Sequence, residues 1–558
     1  MLNFIIGRNN SGKTEKIRAL IAERASENKK CILIVPEQFS FESERSILEK
    51  IGAQKMLNVD ILSFTRLAFV INEQYGKALN KTIDDGTRKV LMSLSLEALS
   101  GKLEYFKRFS SKPALLSNLL TFVTELKQCA VTPDEIAEIS GKTGNKSLGK
   151  KLSELSLIAA SYDALVSRSF FDDENLLTIA ADMISENDFF DGKAVYFDAF
   201  CGFTKQERNC IKSILPKAEN VFISLCTDRD LSREGVSVFE NVNSEFSHLK
   251  ECAAEQNVGV SSPEILNVKE DGRSPELVYL EKYLCGEESE PYKEECDNIV
   301  VCAAGNRADE ADFVACEIKK LLRCNPTLRC RNIAVIERTA GTYDKELSES
   351  FKKYGVPMFE DKRRPIGIQP VMVFVKCLLA LCAEGFSTES FMRLLKTGLT
   401  ALSGDEISEL ENYAFLWNID GSKWRRDFTE NPDGLGFDVT EKSQEKLIRL
   451  NDIRKRSVLP VLAFKKDFEE ADGEKKSRLI YEFLIKNGVT ERLREKIEYL
   501  VSSGDTVLCE EQDTVWATLM DMLGKMASAI GETVITAKRY CELFNILLSA
   551  VTLAAAGA

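Results

Sequence analysis

The sequence contains almost no histidine and no closely spaced pair of cysteines. His248 is the single histidine among 558 residues, which excludes most histidine-based zinc sites, Ser-His-Asp triads and histidine general bases. Its polar surroundings, "EFSHLKE", predict a solvated surface residue. None of the 16 cysteines forms a C-x-x-C pair, and scattered cysteines in a long chain are typical of reduced, buried thiols.

The sequence also lacks a long apolar run and an excess of positive charge. The longest apolar stretches, near 371–383 and 546–558, have about 13 residues, whereas a membrane-spanning helix needs roughly 20. They indicate buried helices, and we expect neither a membrane span nor a secretory leader. With 74 basic and 87 acidic residues the net charge is −13, which argues against a polycation wrapped on nucleic acid but allows a local basic groove.

One stretch, "GRNNSGKT", fits the phosphate-loop pattern G-x-x-x-x-G-K-[ST]. It follows the apolar strand "LNFII" and opens a helix, so backbone N–H groups and the helix N-terminus can surround phosphate oxygens. The lysine then reaches the β- and γ-phosphates, and the threonine ligates Mg²⁺. A plain glycine turn is the alternative. The pattern predicts a Mg·ATP site formed by Gly7, Arg8, Asn9, Asn10, Ser11, Gly12, Lys13 and Thr14.

A second metal-side carboxylate is expected from "AVYFD", four apolar strand residues that end in Asp198. This places Asp198 at the carboxyl end of a parallel strand, where ligands bind, although an aspartate that caps a turn is the alternative. We expect Thr14 and Asp198 to hold Mg²⁺. Hydrolytic motors carry glutamate after this aspartate, but here Ala199 follows, and the next acid is Glu207. The site therefore looks able to bind nucleotide and poor at hydrolysing it.

The periodicity of apolar residues divides the chain into alternating α/β and helical parts. Strand and helix patterns alternate in 1–83 and 186–228, which predicts a parallel α/β domain, and 84–185 reads as a helical insertion. Residues 229–295 are polar and predict a loop-rich linker. Strands at "NIVVCAAGN" and "RNIAVIERT" begin a second α/β unit over 296–370, and 371–558 reads as helical.

Five stretches in register, "FIIGRNNSGKT", "ILIVPEQFSFESERSIL", "VDILSFTRLA", "VYFDAFCGFTKQE" and "YGVPMFEDKRRP", resemble the B subunit of the bacterial AddAB-type ATP-dependent helicase/deoxyribonuclease. The resemblance implies a superfamily 1 helicase-like fold: RecA-like parallel sheet domains with large helical insertions, the first over 1–83 and 186–228 and the second begun over 296–370. It also implies a cytoplasmic heterodimer with a motor–nuclease A subunit. Such a complex processes double-strand DNA ends for recombinational repair, and the B subunit contributes to hotspot recognition.

Carried onto this sequence, the family's motifs assign ATP to residues 7–14 and Mg²⁺ to Asp198. The "SFTRLA" segment matches the single-strand track of helicases, so Ser63, Thr65 and Arg66 are candidate DNA contacts. The basic and aromatic stretches at 104–112, 360–365 and 422–428 are either DNA contacts or ordinary helix faces with a buried ring.

The departures from the family pattern concern the adenine-reading glutamine, the catalytic glutamate and the length. Six residues precede Gly7, so we expect the glutamine to be missing or supplied from elsewhere. We also expect the chain to be truncated: the family's nuclease domain and iron–sulfur cluster would lie in a missing C-terminal part. Two alternatives remain, an unrelated phosphate-loop ATPase or kinase and a nucleotide-binding scaffold without activity. Kinases of that kind are compact, so the large helical regions disfavour the first of these alternatives.

Overall fold

The computed structural model describes residues 1–76, 83–107, 112–169, 173–227, 238–267, 273–283, 290–359, 363–504 and 506–554. The chain divides into two compact units. The larger comprises residues 1–235, 239–268 and 364–556, and the smaller comprises 236–238, 269–363 and 557–558. Within the described ranges, no helix is both long enough and apolar enough to cross a membrane.

The larger unit contains a six-stranded sheet in which every pair of neighbouring strands is parallel. Its strands are β1 Leu2–Gly7, β2 Cys31–Ile34, β3 Val59–Leu62, β4 Ala194–Phe197, β5 Asn220–Cys226 and β6 Glu264–Ile265, in the order β3-β2-β4-β5-β1-β6. The first five confirm the strands expected from the sequence, and with them the α/β class. The arrangement is compatible with a RecA-like domain.

Helices cover both faces of this sheet, as the fully buried strands β2 and β4 require. The helices of this part are α1 Lys13–Ser26, α2 Ser40–Ile51, α3 Ala53–Met56, α4 Phe64–Tyr75, α9 Asp173–Glu186, α10 Lys205–Ile214 and α11 Glu240–Glu255. Apolar residues of α1 and α2 pack on one face, and those of α4, α9, α10 and α11 pack on the other. We call this part the sheet body.

The sheet body extends beyond the boundaries expected from the sequence. Helix α9 lies in the predicted helical insertion, but its buried residues, such as Leu176 and Ala180, belong to the core of the sheet. Helix α11 and strand β6 lie in the predicted loop-rich linker, yet Phe246 packs in the same core and β6 pairs with β1. Polar composition concealed the apolar stripe of α11, and β6 is too short to show an alternating pattern.

The remaining helices of the larger unit form one helical body. They are α5 Asp85–Ala98, α6 Pro113–Gln128, α7 Pro133–Lys142, α8 Lys146–Ser169, α15 Pro370–Ala383, α16 Thr388–Leu395, α17 Gly404–Leu416, α18 Glu441–Glu470, α19 Gly473–Lys486, α20 Val489–Ser502, α21 Thr506–Ile530 and α22 Ala537–Ala550. Strands β7 Arg363–Pro365 and β8 Thr552–Ala554 flank the second group.

Two distant parts of the sequence share the core of this helical body. Val90 and Tyr162, from residues 83–166, belong to the same apolar cluster as Leu378 and Phe544. A charged contact also joins them, since Lys525 Nζ lies 2.8 Å from Asp84 Oδ2. The sequence predicts two separate insertions over 84–185 and 371–558, whereas the structure has one body. Apolar periodicity identifies the buried face of each helix but not the helix that covers it.

The smaller unit contains helices α12 Pro275–Tyr283, α13 Arg307–Cys324 and α14 Asp344–Tyr354. Helix α14 ends at Gly355 in the left-handed conformation, φ 66°, as the "YGVP" signal predicts. No strand forms at the two apolar segments expected to be strands, and Val301 and Ile336 are 93% and 90% exposed. A buried parallel strand needs neighbours, and the described residues of this unit supply none. The assignment of 296–370 to a second RecA-like domain stays a prediction.

Candidate nucleotide and DNA site

The phosphate loop connects the carboxyl end of β1 to the amino end of α1. Gly12 lies immediately before α1 with φ 88°, and Asn10 also has a positive φ, 59°. These left-handed residues turn the backbone sharply at the start of α1. The first amides of α1 have no partner within the helix, so they remain available to phosphate oxygens.

Residue 7 has to be glycine because Ser11 and the backbone of Leu266 lie close to its α-carbon. A Cβ atom at this position would lie 2.8 Å from the backbone oxygen of Leu266 and 2.8 Å from Ser11 Cβ, and it would also collide with Ser11 Oγ. Leu266 follows β6, and its N–H donates to the carbonyl of Ile6 at 2.7 Å. The edge strand β6 therefore closes against the loop and explains why glycine stands there.

The Lys13 ammonium lies inside the loop. Its Nζ donates to the carbonyl oxygens of Gly7 and Arg8, each at 2.8 Å, and contacts Ser11 Oγ at 3.5 Å. Because an ammonium has three donors, these bonds hold it where an incoming phosphate group would compete for it. Arg8 itself lies beside an aromatic ring, with its guanidinium carbon 5.6 Å from the centre of Phe239.

Asp198 follows β4 and is 5% exposed. Its N–H donates to the carbonyl of Ile34 at 3.1 Å, and Oδ1 accepts a hydrogen bond from the Ser224 hydroxyl at 2.5 Å. Ser224 belongs to β5, which lies between β4 and β1, so Asp198 and Gly7 are two strands, or roughly 10 Å, apart. Asp198 therefore lies across β5 from the phosphate loop, at the same carboxyl edge of the sheet.

The position next to Asp198 lacks the acidic side chain that hydrolytic motors carry there. Ala199 is exposed and has φ 65°, so the backbone turns into the left-handed region directly after the strand. Glu207 is occupied elsewhere: its Oε2 accepts from the Thr204 N–H at 2.7 Å and so caps α10. Burial raises the pKa of the Glu207 carboxyl, although the hydrogen bonds of the cap oppose that effect.

The DNA candidates Ser63, Thr65 and Arg66 lie at the carboxyl end of β3, along the same edge of the sheet. Ser63 is 4% exposed and caps α4, because its hydroxyl accepts from the Arg66 N–H at 3.1 Å. This gives Ser63 a structural role and leaves its hydroxyl poorly placed for a phosphate. Thr65 and Arg66 are exposed on the first turn of α4.

The same edge carries aromatic residues that the sequence did not single out. Phe41, in the first turn of α2, is 79% exposed, as an aromatic ring that stacks on a base must be. Phe64 instead lies in a cluster, with its ring 5.5 Å from that of Phe200 and 5.8 Å from that of Phe197. This cluster joins the segment after Asp198 to the first turn of α4. The aromatic run "PEQFSF" after a predicted strand was the signal available in the sequence.

The other basic and aromatic stretches do not form a common site within the described ranges. In residues 422–428, Trp424 and Phe428 are buried in the helical body, as the alternative of an ordinary helix face predicts. Residues 108–111 and 360–362 of the other two stretches lie outside the described residues. His248 is exposed on α11, as expected.

Comparisons with known proteins agree with the resemblance found in the sequence. Residues 4–281 match the family model described as "ADDB, N-terminal". Proteins named as the B subunit of an ATP-dependent helicase/deoxyribonuclease are similar to this chain: 29% identical over 561 residues in Acetivibrio thermocellus, 28% over 555 in Clostridium acetobutylicum and 28% over 562 in Clostridioides difficile.

Each of these alignments covers 98% of this chain and 48% of the relative. The chain therefore spans about half the length of the curated relatives it matches. The family model and the named relatives together confirm the resemblance to the B subunit family: residues 4–281, just under half of the chain, match its N-terminal model, and the relatives align over 98% of the chain.

Proposed function

We propose that this chain is the helicase-like N-terminal part of the B subunit of an ATP-dependent helicase/deoxyribonuclease. In this proposal it binds Mg·ATP and single-stranded DNA, hydrolyses ATP poorly, and works with a motor–nuclease A subunit on double-strand DNA ends during recombinational repair. Hotspot recognition would fall to the edge of the sheet at α4. In this proposal the nuclease and the iron–sulfur cluster of the complex lie outside residues 1–558.

The observation that carries the proposal is the phosphate loop facing Asp198 across β5, with Ala199 directly after Asp198. Lys13 must exchange the carbonyls of Gly7 and Arg8 for phosphate oxygens when nucleotide binds. Bound Mg²⁺ would neutralise charge on the β- and γ-phosphates, with Thr14 and Asp198 on either side. The residue after Asp198 offers no carboxylate to activate the attacking water, which supports binding without efficient hydrolysis.

Nucleotide binding and turnover test this part of the proposal separately. By calorimetry, Lys13→Ala should weaken Mg·ATP binding by about 30-fold or more, because a charge-assisted contact is lost. The matched control is Lys16→Ala, one turn along α1, which removes only an exposed ion pair with Glu264 and should leave the affinity within about threefold. Unchanged binding by Lys13→Ala would show that the loop is not the site.

Turnover is expected to stay below about 0.1 per second even with saturating single-stranded DNA. A rate near the roughly 10 per second typical of enzymes would contradict the loss of hydrolysis. Binding of a labelled single strand should weaken steeply with salt, because phosphate contacts dominate such interfaces. A flat salt response would instead favour the alternative of a phosphate-loop enzyme or a scaffold with a partner other than DNA.

A further inference from the structure

Residues 429–441, which comprise the end of the connection between α17 and α18 and the first residue of α18, expose apolar side chains at alternating positions. Leu435 is 83% exposed, and Phe437 and Val439 are each 66% exposed. Isolated exposed apolar residues are ordinary on protein surfaces, but three in succession on one loop, pointing to solvent, are not. We call this segment the apolar loop.

The end of α17 extends this surface. Phe415 and Leu416 are 71% and 49% exposed. A Cβ atom on Gly434 would lie 3.7 Å from Leu416 Cδ1 and 3.7 Å from Phe437 Cδ2, so these two side chains flank the glycine and form one patch. The two phenylalanines alone expose about 270 Å², taking roughly 200 Å² for each side chain.

The backbone of the apolar loop is held in place although its side chains are free of the core. Asn431 Nδ2 donates to the carbonyl of Phe437 at 3.0 Å, and Trp417 Nε1 donates to the carbonyl of Asn431 at 3.0 Å. Gly434 and Gly436 adopt φ 108° and 84°, which a side chain would disfavour. A surface fixed in this way loses little conformational entropy when a partner binds.

The charges of the apolar loop restrict what can bind to it. Residues 429–441 contain Glu430, Asp433, Asp438 and Glu441 and no lysine or arginine. Two lysines compensate in part: Lys442 follows Glu441 directly and is exposed, and Lys446 Nζ lies 2.7 Å from Asp433 Oδ1. Such a segment repels the phosphates of nucleic acid and the headgroups of anionic lipid. It suits a protein surface with an apolar groove bordered by lysine or arginine.

We propose that the apolar loop, together with Phe415 and Leu416, docks this chain onto the second subunit of its complex, in an apolar groove with a basic rim. The proposal rests on the proposed function only for the identity of that partner. Phe437 acts as the central anchor, because exposed aromatic residues carry most of the binding energy when a partner buries them. Asp438 and Glu441 face the basic rim.

The test measures binding of the full chain to the purified motor–nuclease partner encoded in the same genome, by calorimetry at low and moderate salt. Phe437→Ser and Leu435→Ser should each raise Kd about tenfold or more. Asp438→Lys should weaken binding severalfold at low salt and less at high salt. Tyr499→Ser is the matched control, since it removes an aromatic side chain that is 71% exposed on α20, outside the patch.

Three results overturn the proposal. If both serine variants bind the motor–nuclease partner as tightly as the wild-type chain, the loop is not the docking surface, and the proposed function stands. If the wild-type chain does not bind this partner, the proposed pairing of the two chains fails as well. If sedimentation shows a wild-type dimer that Phe437→Ser converts to a monomer without changing affinity for the partner, the occupant is a second copy. Mg·ATP binding and melting temperature, measured on the same samples, verify that each variant is folded.

Discussion

The sheet body and the helical body differ in which residue types they expose to solvent. At the carboxyl edge of the sheet, the residues suited to ligands are exposed or line the loop, as are Lys13, Thr65 and Arg66. In the helical body the most prominent basic and aromatic stretch turns its rings inward, and Trp424 is completely buried. There, apolar residues are the ones that reach solvent, in the loop at 429–441. A sequence motif therefore identifies a binding site only where the fold places its side chains on an exposed surface, such as the carboxyl edge of the sheet.

The largest expected effect tests whether nucleotide binding depends on the close packing of β6 against the phosphate loop. Gly7→Ala places a methyl group 2.8 Å from the backbone oxygen of Leu266, which cannot move without detaching β6 from β1. We expect Mg·ATP binding by calorimetry to fall about 100-fold or more, while the helical body stays folded. Gly202→Ala is the control: no atom lies within 4 Å of the added Cβ, so binding should not change. Unaltered binding by Gly7→Ala would show that this close approach is not needed.

The second effect concerns the packing of the helical body. A Cβ atom on Gly473 would collide with Ile530 Cγ2 and lie 2.7 Å from Ile530 Cβ. Gly473→Ala should therefore lower the free energy of unfolding by about 1–3 kcal/mol in urea titrations. Gly524→Ala, inside α21 with open space around it, should instead be neutral or stabilising by up to about 1 kcal/mol. Equal stabilities for the two variants would mean that the helices α19 and α21 can separate at little cost.

The same contrast explains which features of the fold could be predicted from the sequence. Strands such as "LNFII" and "ILIV" are continuous apolar runs between turn signals, so their positions follow from local pattern, and the phosphate loop follows from its place between strand and helix. The shared core of the helical body joins Val90 to Phe544, and no local pattern reports a contact between residues so far apart. At the site, residue type indicated Ser63 but could not reveal that its hydroxyl is used as a helix cap.

A third prediction distinguishes a residue that contacts DNA, Arg66, from one that only caps α4, Ser63. Arg66→Ala should weaken single-stranded DNA binding severalfold and reduce the slope of its salt dependence by roughly one, because one phosphate contact is lost. Ser63→Ala should leave that slope unchanged and lower the free energy of unfolding by about 1 kcal/mol through loss of the cap. Fluorescence anisotropy across a salt series measures the first, and urea titration the second. If Ser63→Ala changed the salt dependence of DNA binding, Ser63 would be a DNA contact after all.

The smallest expected effect is the most informative about the nucleotide site. Ala199 has φ 65°, so the backbone turns away immediately after Asp198, and the side chain at 199 projects to solvent. A glutamate there would share the left-handed conformation that Ala199 already adopts, so its carboxylate would extend from a Cβ atom that is directed to solvent. We therefore expect Ala199→Glu to change DNA-stimulated ATP turnover by less than about twofold, measured as phosphate release.

The control for this prediction is Ala199→Gly, which accepts the positive φ without strain and should keep Mg·ATP affinity unchanged. If Ala199→Glu raised turnover tenfold or more, the missing carboxylate alone would account for slow hydrolysis, and the turn after β4 would be irrelevant. Turnover can instead stay low while Asp198 and Lys13 still support nucleotide binding. In that case, slow hydrolysis results from the backbone turn at residue 199 as well as from the missing carboxylate. The sheet edge would then hold nucleotide with a geometry that a single substitution cannot return to hydrolysis.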